Sequence, residues 1–181
     1  MNRLCTFAIS LALLIGSAIA QVKLNVTAIS ARDGNSVIEC WQLDNPFASS
    51  SKPGVAGCAI AQLGQLDNLT YTIVPSNYDG GLHVAPYKQW VFFASGVAHI
   101  TVPDDSTEAY VKGGDFGLIF AADTADISRR GHKTEFPGNT ETMGLQIPTR
   151  NGEVPPHSVV HAGACEESEM AGFRELAATG L

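Results

Sequence analysis

Along most of this chain the apolar residues come in short runs of β-branched and aromatic side chains, broken by clusters of Gly, Pro, Asn and Asp. That pattern predicts strands joined by tight turns. Ten segments qualify as strands: 22–29, 36–43, 55–63, 69–74, 89–94, 97–102, 108–111, 116–121, 141–147 and 158–160. Turn chemistry lies between them, at Asp33-Gly34-Asn35, Asp79-Gly80-Gly81, Pro103-Asp104-Asp105, Lys112-Gly113-Gly114-Asp115, Pro137-Gly138-Asn139 and Asn151-Gly152. These residues tolerate positive φ or preset a reversal. Residues 45–53, with three consecutive serines, read as the most mobile loop. Helical spacing emerges only after Cys165, where Met170, Phe173, Leu176 and Ala177 follow the acidic start Glu166-Glu167, so a short amphipathic C-terminal helix is expected. Many short strands with little helix predict a mainly β fold, as a sandwich, jelly roll or barrel.

The first twenty residues depart from this pattern. One positive charge, Arg3, precedes an apolar run that closes on Ala18-Ile19-Ala20, a small-x-small box. The segment 1–20 reads as a cleavable signal peptide, with 21–181 as a single secreted domain. Its apolar run is short for a membrane span and no stop-transfer charges follow, so no retained anchor is expected. Cleavage removes Arg3 and leaves ten basic residues against eighteen acidic ones. So acidic a chain repels polyanions, and nucleic acid is not an expected partner.

Secretion changes the reading of other residues. The sequons Asn25-Val26-Thr27 and Asn68-Leu69-Thr70 become candidate glycosylation sites at Asn25 and Asn68. Cys5 leaves with the signal peptide, and Cys40, Cys58 and Cys165 remain. One disulfide plus one leftover thiol is the simplest arrangement for an oxidising compartment, and three pairings are open.

Candidate chemistry concentrates in His83-Val84-Ala85-Pro86-Tyr87-Lys88-Gln89-Trp90-Val91-Phe92-Phe93-Ala94-Ser95-Gly96. This stretch resembles the first cupin motif, in which His-x-His, three or four residues, Glu, six residues and Gly supply three metal ligands. His83 falls on the first His, Ala85 on the second, Gln89 on the Glu, and Gly96 lies at the right distance. Residues 114–125 resemble the second motif, with Phe120, Ala122 and Ala125 replacing its Pro, Gly and His. The likeness covers about residues 69–147, and its texture is similar to that of small secreted cupin-like proteins of filamentous fungi. It implies a jelly-roll β-barrel and a secreted context, to which the spacing after Cys165 adds the short C-terminal helix. First and last strands of a jelly roll often lie side by side, and Cys58 sits in an Ala-rich, core-like segment, so the resemblance favours Cys40–Cys165 as the disulfide.

The motif register makes His83 and Gln89 candidate catalytic residues, and period-two alternation puts Val91 and Phe93 on the face of Gln89 as ligand contacts. His132, His99 and Tyr87 are further candidates, His132 for catalysis and the other two for ligand contact, with Tyr78, Asp123 and Glu135 close by in sequence. His83, Gln89 and His132 are also the candidate metal donors. A divalent metal is not favoured as cofactor, because alanine stands at two imidazole positions and an amide is a poor ligand. Histidine with a carboxylate in an apolar pocket can do metal-free acid–base work. His157 and His161 are four apart on an extended segment, where helical metal spacing does not apply. A Gly-x-Ser-x-Gly elbow, a phosphate-binding glycine loop and a Cys-x-x-Cys pair are all absent. The expected function is binding of a small, mainly apolar organic molecule. An isomerase, lyase or oxidoreductase of natural-product or extracellular metabolism is one form of it. A non-enzymatic ligand carrier or effector is the other.

Overall fold

The computed structural model describes residues 22–170. The expected signal peptide and the helix positions Phe173, Leu176 and Ala177 lie outside the described residues. The chain forms β1 (Lys23–Arg32), β2 (Asn35–Pro46), β3 (Ala48–Ser49), β4 (Ala59–Ile60), β5 (Thr70–Val74), β6 (Tyr78–His83) and β7 (Gln89–Phe93). It continues through β8 (Val97–Thr101), β9 (Glu108–Lys112), β10 (Leu118–Ala121), β11 (His132–Phe136), β12 (Thr142–Pro148), β13 (His157–Ala162) and the one-turn helix α1 (Glu167–Met170). The fold is mainly β, as its patterning predicts. It ends, among the described residues, on a short helix.

Seven strands make a large sheet in the order β13-β2-β1-β10-β7-β12-β5, four make a small sheet in the order β6-β11-β8-β9, and β3 pairs with β4. The large and small sheets face each other without closing into a barrel, which corrects the expectation of a closed one. Between β5 and β12 the chain alternates sheets at nearly every step, and only β8 and β9 are consecutive strands of one sheet. β1, β2 and β13 extend the large sheet beyond β10, with β1 parallel to β10.

Alternation along each strand divides the apolar residues between two cores. Ile29, Ile38, Val91, Phe93 and Ile119 of the large sheet meet Ala98, Ile100, Ala109, Val111 and Phe136 of the small one. On the opposite face of the large sheet, Val26, Ala28, Trp41, Leu43, Trp90 and Phe120 are covered by Leu63, Leu66 and Val154. Trp90 is fully buried there, and its indole N–H donates to the Leu63 carbonyl at 2.9 Å. Burying side chains of this size stabilises by about 1.5–3 kcal/mol each. The covering loop is therefore part of the fold, held also by Arg150 N–H on the Gln65 carbonyl at 2.9 Å.

Several local expectations are corrected. Asp79-Gly80-Gly81 is a stretch of β6, not a turn, and β11 was not among the anticipated strands. Of 55–63 only Ala59–Ile60 is strand, and Cys58 is exposed, not in a core strand. The stretch 45–53 is partly ordered by pairing, since Ser50 is buried and its N–H donates to the Cys58 carbonyl at 2.9 Å. Cys40 and Cys165 are joined, 125 residues apart, with Cα atoms 4.6 Å from each other. Pairing of β13 against β2 sets His161 opposite Cys40 and so carries Cys165 to it.

Candidate functional site

A cavity of about 280 Å³ lies between the sheets, and its walls follow from strand register. Gln89, Val91 and Phe93 of β7 share one face and all line it. Gln146 and Gly144 of β12 and Thr72 and Val74 of β5 continue that wall. Opposite them, β11 contributes His132, Thr134 and Phe136, and β6 contributes Tyr78, Gly80 and His83. Ile29, Ile100, Ile119 and Ala121 make the remaining lining largely apolar.

His83 and His132 are directly opposed across the β6–β11 pair, with ring centroids 4.6 Å apart. His83 is exposed and stands at the mouth, its Nδ1 3.0 Å from the Gly81 carbonyl. A carbonyl only accepts, so Nδ1 of His83 carries the proton in this contact. The close approach of the two strands requires glycine at position 131, where φ is +74° and a Cβ would collide with the His83 carbonyl.

His132 is buried, and its Nδ1 lies 2.7 Å from Oδ2 of Asp123, which is wholly inaccessible. The Ser36 hydroxyl donates to the same oxygen at 2.6 Å, and Ser36 and Ser128 hydroxyls are 2.7 Å apart. Gly131 N–H donates to the Ser128 hydroxyl at 3.0 Å. With Ser36 donating to Asp123, Ser128 must donate to Ser36, and the chain of hydrogen bonds runs one way and ends on the carboxylate. An ionised Asp123 accepts from His132 Nδ1–H, which makes Nε2 the basic nitrogen of that ring. The second carboxylate oxygen, Oδ1, has no partner among the described residues.

Two anticipated contacts lie elsewhere. His99 is on the outer face of the small sheet, because Ala98 and Ile100 take the inward positions of β8. There its ring stacks on Tyr110 with centroids 4.1 Å apart and hydrogen-bonds Glu108 at 2.8 Å. Tyr87 is 62% exposed and borders a separate open groove with Lys88, Asp126 and Asn151. Glu135 also faces outward, on Lys133 at 2.8 Å, so Asp123 is the acid that reaches His132. Ser36, Ser128, Thr72, Thr134 and Gln146 were not anticipated. Gln146 and Thr72 carried the same period-two signal as Gln89, while nothing in sequence links Ser36 to residues 87 and 92 positions away.

The residues do not fit the metal centre that the motif resemblance implies. Ala85 brings a methyl group to the cavity, and Ala125 is exposed in the Tyr87 groove. Among the described residues the one tight group of three donors is Cys40, His161 and Glu169, and there the disulfide consumes the thiol. Of the two sequons, Asn68 is exposed, whereas the Asn25 amide donates to the Glu169 carbonyl at 3.0 Å and accepts from Gln42 at 3.1 Å. No family model, curated protein or solved structure matches the chain.

Proposed function

We propose that this is a secreted, cupin-like jelly-roll protein whose inter-sheet cavity binds a small, mainly apolar organic molecule and acts on it by metal-free acid–base chemistry. One observation carries the reading: a buried aspartate orients His132 in the lining of an apolar cavity that His83, Gln89, Val91 and Phe93 also line. Such a carboxylate holds the imidazole in one tautomer and stabilises the cation formed when it takes a proton. Strand orders β5-β12-β7-β10 and β6-β11-β8-β9 support the jelly-roll reading, since two interleaved Greek keys place successive strands this way. Secretion is supported by the N-terminal pattern and by the Cys40–Cys165 bridge. No helix among the described residues is long and apolar enough to cross a membrane.

The test is native mass spectrometry of protein recovered from a secretory host's medium, followed by screening of neutral one- and two-ring compounds. Binding should be lost in Val91→Phe, whose ring fills part of the cavity, in a variant that still gives a cooperative melting transition. Retained binding in that variant would move the site off the cavity. Turnover lost in His132→Ala marks an enzyme. A bound compound that His132→Ala holds equally well and that is never transformed marks a carrier.

A further inference from the structure

Resting on that reading, we propose that the substrate is a neutral carbonyl compound of one or two rings with an acidic C–H beside its carbonyl. His132 Nε2 removes that proton, and the amides of Gln89 and Gln146 hold the oxygen. The cavity lining contains neither Lys nor Arg. A carboxylate or phosphate ligand would enter with no cation to offset its desolvation, which disfavours a permanent anion. Charge that develops only during the reaction needs donors already in place.

The two amides supply them. Gln89 is 6% exposed, and its side chain lines the cavity. The Thr72 hydroxyl donates to Gln146 Oε1 at 2.7 Å, leaving the Gln146 N–H groups to donate. Register places Gln146 opposite Val91 and Gln89 opposite Pro148, so the amides are diagonal neighbours on one face. Gln89 also pairs with Ala121, two residues before Asp123, which brings it to the end of the cavity where the aspartate–histidine pair sits.

The step balances without a co-reactant. The Nε2 lone pair takes the proton, the C–H electrons form a C=C bond, and the carbonyl π electrons move to an oxygen held by amide N–H groups. The imidazolium then returns the proton to the same carbon or, where a C=C bond is conjugated with the enolate, to the far end of that dienolate, which shifts the double bond. Either way the base is restored.

Deuterium exchange of 2-tetralone in D₂O, followed by NMR, tests the base, and binding of 2-naphthol against naphthalene tests the oxygen contact. The unmodified protein should exchange the tetralone α-protons about 100-fold faster than His132→Gln. His99→Gln should match the unmodified protein, and 2-naphthol should inhibit it, an arm that needs no variant. Gln89→Met should weaken 2-naphthol at least 10-fold and leave naphthalene unchanged, which also shows that the variant is folded. Equal binding of naphthol and naphthalene, or exchange unaffected by His132→Gln or by naphthol, overturns the inference while the cavity reading stands. If the protein binds neither aromatic, both fall.

Discussion

An imidazole hydrogen-bonded to a carboxylate recurs in this molecule, and two of these pairs stand at opposite extremes. His132 meets Asp123 at 2.7 Å beside the cavity, and His99 meets Glu108 at 2.8 Å on the outer face of the small sheet. Geometry of the bond hardly separates them. Surroundings do: Asp123 is wholly buried and receives a second hydrogen bond from Ser36, while the Glu108 side chain is 53% exposed. A buried carboxylate depends on its donors for what water would otherwise supply, whereas an exposed one gains little from any single partner. Access and desolvation, not the pairing, distinguish a group able to act on a ligand from a surface contact.

Asp123→Ala should separate the two settings most sharply. It leaves His132 and the Ser36–Ser128 chain without their terminal acceptor, and a loss of about 3 kcal/mol in denaturant titration is expected, since breaking a buried pair costs on this scale. A loss under about 1 kcal/mol would mean that the pair is no more than an exposed one.

An intermediate case is His161, whose Nε2 lies 2.8 Å from Glu169 at the start of α1. Its hydrogen bond to the Ala162 carbonyl and then Glu169 raise the His161 pKa above its ordinary 6.5. The Glu166 N–H and then His161 hold Glu169 below its ordinary 4.5. Stability from the raised histidine is complete below 6.5 and fades as pH rises through its folded value. That from the lowered glutamate is complete above 4.5 and fades as pH falls through its own. Melting curves of the protein and of His161→Ala should therefore differ most between pH 4.5 and 6.5 and converge on either side. A difference that does not change with pH would mean that the pair adds nothing beyond packing.

The smallest effect is expected at His99→Ala, under about 1 kcal/mol, because its acidic partners are substantially exposed. A larger loss would mean that the Tyr110 stack, and not the ion pair, holds His99 in place.

Sequence pattern carried the strands with clean alternation and the common face of Gln89, Val91 and Phe93. It failed at β6 and β11, which bear the two cavity histidines. In β6, Gly80 lies close to the Thr134 carbonyl, 2.9 Å from where a Cβ would be, so glycine there serves strand approach and only resembles a turn signal. In β11 the inward residues His132 and Thr134 are polar and the outward ones, Lys133 and Glu135, are charged, so a hydropathy pattern finds little contrast. Polar groups that face a cavity look like surface from the sequence. The Asp123–His132 contact was out of reach for a related reason: the eight residues between its partners cross from one sheet to the other, and only the pairing of β6 with β11 decides where they meet.

The Cys40–Cys165 bridge makes the chain between those residues a covalent ring that contains every strand from β3 to β13. A protease cutting once in the exposed stretch 51–58 opens the ring but frees nothing. The clipped molecule stays one particle, its two pieces tied at the edge of the large sheet, and needs reduction as well as cleavage to come apart. β1 lies outside the ring as a tail and yet occupies a central place in the large sheet, between β2 and β10. The ring can therefore be closed chemically before the sheet is complete, and the tail must then slot into a gap already bounded on both sides.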